Sequence, residues 1–169
     1  MKQAIAGVSP ASLGEVTIMT VSPSMAAGAL GRRLGELCMI RAGIGSVLTV
    51  GNLIALASIP LAMALYLPKV LPYIGVWYRL TNRRVVVERY CPRKEERSVS
   101  LADFDSIDVL VLPGQQWYPA GDLVFRKGQL ETLRLPGVLR PEAFRQTCLK
   151  AQRAYVGVRN AMSRQGAAV

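Results

Sequence analysis

The feature that most constrains this chain is residues 42 to 68, "AGIGSVLTVGNLIALASIPLAMALYLP", 27 consecutive positions without an Asp, Glu, Lys or Arg. Drawn out as one helix, such a stretch runs about 40 Å, against a bilayer hydrocarbon core of roughly 30 Å. Pro60 interrupts it near the middle, because proline lacks an amide N–H and its ring clashes with the carbonyl four residues back. Two architectures fit: one kinked transmembrane helix, or a transmembrane helical hairpin with arms at about 37 to 56 and 60 to 77 that turns around "ALASIP". Basic residues beside a span stay on the cytoplasmic side. Arg32, Arg33 and Arg41 precede the stretch and Arg79, Arg83 and Arg84 follow it, so the hairpin, which keeps both flanks inside, is favoured. Lys69 then lies near an interface that its long stem can reach. The competing reading is a helix pair buried in a soluble core, which Gly43, Gly45, Gly51, Ser46, Thr49 and Asn52 favour by diluting the apolar run.

The surrounding charge is strongly biased. With 21 Lys+Arg against 11 Asp+Glu in 169 residues, the net charge of +10 implies an anionic partner, either lipid headgroups or nucleic acid. A stacking surface of aromatic and basic residues on a sheet face is not evident, which disfavours nucleic acid. The chain has no histidine, and Cys38, Cys91 and Cys148 are dispersed without a CxxC pair, so neither a metal site nor a disulfide framework is expected. Without histidine the usual base for a Ser or Cys nucleophile is missing, and no phosphate-binding glycine loop occurs. Asp103, Asp105 and Asp108 follow a strand junction and are read as caps or solvated groups. No catalytic residue and no cofactor are therefore expected, and the chain reads as a non-enzyme.

Residues 1 to 35 read as loosely organised, without a secretory signal, although "EVTIMTV" (15 to 21) has partial alternation and suits an extended segment. Residues 36 to 77 form the expected transmembrane region. From Val76 the pattern turns to alternation: "VWYRL" and "RVVVERY" bracket Thr81-Asn82-Arg83, and Asn suits a tight turn. "RSVSL", "FDSIDVLVL", "DLVFR" and "LETLRL" continue the series, making about six short antiparallel strands. Pro141 and Glu142 open a terminal helix whose apolar face carries Phe144, Cys148, Ala151, Tyr155, Val158 and Met162. The second domain thus spans 78 to 164, with a tail at 165 to 169.

Taken in order, these segments resemble the bacterial pleckstrin-homology-like domain family, in its membrane-associated branch. Tyr78, Leu80, Thr81, Asn82, Arg83 and Arg84 occupy the positions of a Tyr-x-Leu-Thr-Asn-Arg-Arg hairpin that begins such domains after one or two membrane helices. Val99, Leu101, Ile107 and Val109, then Gly121-Asp122, then Val138, Pro141 and Glu142 agree with later segments, and "TVSPSM" with an upstream Pro-Ser element. The loop "PGQQWYPAG" departs from the pattern, which leaves any role of that loop undefined. The resemblance implies an α+β fold: a bent antiparallel sheet or partial barrel capped by one C-terminal helix, behind the transmembrane hairpin.

The expected placement is the inner (cytoplasmic) membrane, with the folded domain facing the cytoplasm. The expected function is a membrane-anchored scaffold or self-assembly module, partnered by a second copy or a membrane protein; the alternative is recognition of anionic lipid headgroups. Candidate anion-binding residues are Arg79, Arg83, Arg84, Arg93 and Lys94, and candidate interfacial aromatics are Tyr73, Trp77 and Tyr78.

Overall fold

The computed structural model describes residues 14–40, 43–44, 48–70, 75–89 and 94–166. Strand β1 (Thr17–Val21) leads through a 3-10 turn, Met25–Ala27, into helix α1 (Ala29–Cys38). A minimal ribbon, β2 (Gly43–Ile44) with β3 (Leu48–Thr49), precedes helices α2 (Val50–Ala57) and α3 (Ile59–Val70). Strands β4 (Val76–Thr81), β5 (Arg84–Arg89), β6 (Lys94–Ser100), β7 (Ser106–Leu110), β8 (Ala120–Lys127) and β9 (Leu130–Leu139) follow, and helix α4 (Pro141–Gly166) ends the described chain.

All six strands expected after Val76 form; β7 alternates exposed and more buried positions, whereas β5 buries Val85, Val86 and Val87 in succession and β8 is buried from Ala120 to Phe125. They make two antiparallel sheets, ordered β1-β4-β5-β6 and β7-β8-β9. The sheets are joined where β1 runs on: Pro23 bridges Val138, and the Ser24 amide donates to the Gly137 carbonyl at 2.8 Å. The strands thus follow one another from β6 through β1 to β9 and on to β7, and the ring stays open between β6 and β7. Phe104 from the connecting loop, Phe125 and Phe144 of α4 are each almost fully buried in the core. Phe104 and Phe125 meet edge to face at 5.1 Å, a favoured aromatic geometry. The Gln152 side chain donates to the Phe104 carbonyl at 2.6 Å, tying α4 to the loop.

Helix α1 turns "GALGRRLGELC" into a docking face. Gly31, Leu34, Gly35 and Cys38 are buried on one side. A Cβ on Gly31 would stand 2.1 Å from the Met25 carbonyl oxygen, and one on Gly35 would stand 2.2 Å from that of Gly114. Only glycine allows backbones to approach so closely.

The transmembrane hairpin is overturned, and the inner-membrane placement built on it falls with it. Among the described residues no helix is long and apolar enough to cross a membrane. Helix α2 has 8 residues and α3 has 12, so they extend about 12 and 18 Å. The break falls at Ser58, two residues ahead of Pro60, where the missing N–H prevents a continuous helix. The α+β class, the antiparallel strands and the C-terminal helix are present; the spanning element is not.

Candidate functional site

The hairpin of β4 and β5 reverses at Thr81-Asn82-Arg83. The Thr81 hydroxyl accepts from the Arg83 and Arg84 amides and donates to the Arg84 carbonyl, closing the turn on itself. The Asn82 carboxamide oxygen accepts from the Val16 amide at 3.0 Å, and its NH2 donates to the Gly14 carbonyl at 3.3 Å. A turn residue thereby clamps the segment that leads into β1.

Sheet geometry divides the candidate cations. Arg79 engages Glu88 across the strand pair. Arg84 is held by Glu15 at 2.8 Å and by Glu95 at 2.9 Å. Its fork keeps the Glu15 carboxyl below the usual carboxylate range, and the hydrogen bond to Glu15 in turn raises the guanidinium further. Arg83 is exposed at the turn tip, whereas Lys94 pairs in register with Arg89 at the far end of β5. Residues close in sequence therefore lie at opposite ends of a strand, about 17 Å apart at the rise of a β-strand. Arg93 and Tyr73 lie outside the described residues. Trp77 is half-buried, with no partner for its indole N–H among the described residues. Tyr78 points into the core, and its hydroxyl donates to the Pro136 carbonyl at 2.9 Å.

The acidic stretch has structural work. Asp105 accepts from the Gly128 amide at 2.9 Å, Asp108 pairs with Arg126 at 2.8 Å and Asp103 with Lys127 at 3.3 Å, so all three hold the β8–β9 hairpin. A further polar cluster escaped sequence reasoning. Asp122 is 3% exposed and Gln115 fully buried, and the Gln115 NH2 donates to Asp122 at 2.6 Å while the Gly137 amide donates to the same oxygen at 3.0 Å. Gln115 also accepts from the Leu112 amide at 2.9 Å. This cluster fastens the Pro/Gly loop to the seam between the sheets. Its sequence signal was only the unusual glutamine pair between prolines.

The most conspicuous surface is apolar. On α2, Val50, Leu53 and Leu56 form an exposed row, and on α3, Ile59, Met63 and Tyr66 form another. Leu56 is 67% exposed and Met63 58%. Gly51, the buried residue of α2, seats that helix on α1, since a Cβ there would meet the Cys38 carbonyl oxygen at 2.3 Å. Apart from Gly51, every side chain described on α2 and α3 is exposed or half-buried. Compared with family models, with curated proteins and with solved structures, the chain matches none, so the family resemblance rests on its motifs alone.

Proposed function

We propose that this chain is a non-enzymatic interaction module that self-associates through the α2–α3 pair, on a pleckstrin-homology-like ring of strands closed by α4. The carrying observation is the pair of exposed apolar rows within a stretch that has no formal charge from residue 42 to residue 68. Contiguous apolar surface of this kind marks an interaction site. A second copy is the occupant that fits, because an isologous contact asks a surface to be complementary to itself, and uncharged aliphatic rows are. A chain of net charge +10 repels its own copies on the whole, and the uncharged rows are where that repulsion is weakest.

The headgroup reading has less support. Arg79 and Arg84 are engaged by carboxylates of the chain itself, and Lys94 lies at the other end of β5.

Sedimentation of the full chain at micromolar concentration tests self-association. The expected result is a dimer or higher species that Leu56→Lys with Met63→Lys converts to monomer, with an unchanged circular dichroism spectrum. A wild-type chain that sediments as a monomer throughout overturns the reading.

A further inference from the structure

A second feature is independent of the helix pair. A cavity of about 490 Å³ opens between the two sheets beside the β1–β9 seam, within the size range of small-molecule pockets. Its wall is apolar: Pro23, Val76, Val87 and Pro136, with the Tyr78 ring. Because the Tyr78 hydroxyl is committed to Pro136, the wall offers hydrocarbon rather than hydrogen-bonding groups.

Three charged residues also line the cavity: Glu96, Arg97 and Arg134. Arg97 is the unusual one. Strand register sets Tyr78 opposite Val87, and Val87 opposite Arg97, so Arg97 continues a row begun by two buried residues, yet it is itself exposed and stands at the rim of the cavity. Two residues further along β6 the same face carries buried Val99. Alternation calls for an aliphatic residue at 97, and the chain places a guanidinium there that has no ion-pair partner among the described residues. Glu96 does not neutralise it, being held by Arg89 at 2.7 Å, and Arg134 is shared with Glu131 at 3.2 Å. One negative and two positive lining residues leave a single net positive charge, which matches a monoanion better than a doubly charged phosphate.

We propose that this cavity binds a single-chain amphiphile bearing one carboxylate, with its head on Arg97 and Arg134 and its chain along the apolar wall. Decanoate below its micellar concentration is the probe, titrated into the full chain carrying Leu56→Lys and Met63→Lys, so that the exposed helices do not take up the chain. The expected result is saturable binding of one decanoate per chain. Arg97→Gln should weaken it about tenfold, the loss of one charge-assisted hydrogen bond. Val76→Trp, which puts a far larger side chain into the lining, should abolish it, and decanol should bind more weakly than decanoate. Non-saturable uptake, or binding that both Arg97→Gln and Val76→Trp leave intact, overturns the proposal. Tighter binding of decyl phosphate than of decanoate overturns the monocarboxylate assignment. Self-association is read in the chain without the lysine substitutions, so either result stands whatever the other shows.

Discussion

Arg84 grips Glu15 across 69 positions of sequence with both arms of its guanidinium, Nε to one carboxylate oxygen at 2.8 Å and Nη2 to the other at 3.0 Å. This fork, with the Asn82 clamp beside it, fastens the segment before β1 to the β4–β5 turn. An exposed pair of this kind contributes about 0.2–1 kcal/mol. The Glu15 carboxyl is held below its ordinary 4.5, so the contribution is fully present above that value and is lost as pH falls through the lowered one. Denaturation midpoints of Glu15→Gln and wild type should differ at neutral pH and converge in acid below about 4.5. A difference that stays constant into strong acid would show that the charge is not involved.

Gln115→Leu should destabilise by about 2–4 kcal/mol, although it replaces a buried amide by an apolar group of similar size. It removes the donor to Asp122 and the acceptor for the Leu112 amide, leaving buried polar groups unpaired. Urea unfolding measures this directly, and a loss under about 0.5 kcal/mol would indicate that water replaces both bonds.

Two glycine-to-alanine changes in helices should have opposite signs. Alanine is favoured over glycine inside a helix by about 1 kcal/mol. Gly157 has open space around it, so Gly157→Ala should raise the thermal midpoint. Gly35→Ala should lower it by the cost of overpacking, about 1–3 kcal/mol, because the new methyl meets the Gly114 carbonyl. Equal shifts in both variants would mean that α1 does not dock on the loop.

Cys148 is fully buried, and burial pushes its thiol up to about 12. Between its ordinary 9.0 and that value the unfolded chain ionises and the folded one does not, so this group lowers stability as pH rises through the interval. Peptide-resolved alkylation at mildly alkaline pH should find Cys148 protected until the chain unfolds. Rapid labelling in the native state would contradict its placement under α4.

The strands after Val76 and the C-terminal helix were legible because their signals are local: two-residue alternation, a turn asparagine, a proline at a helix start. The membrane expectation failed at a point equally local. Apolarity over 27 residues has the length to span, but Pro60 divides the helix, and composition does not register a missing hydrogen bond. Helix α1 was missed because "GRRLG" signals close packing only when the surface it meets is known. The charged residues around the hairpin were visible one by one, while their partners were not.

The sequence by itself determined the strands after Val76, the C-terminal helix and where charge is absent, since those properties depend on neighbours along the chain. Tertiary structure alone decided that Arg84 meets Glu15, that Asp122 is buried against Gln115, and that Arg97 and Arg134 line one cavity. None of these joins neighbours along the chain, and only the pairing of strands and the joining of the two sheets brings them within hydrogen-bonding or packing distance.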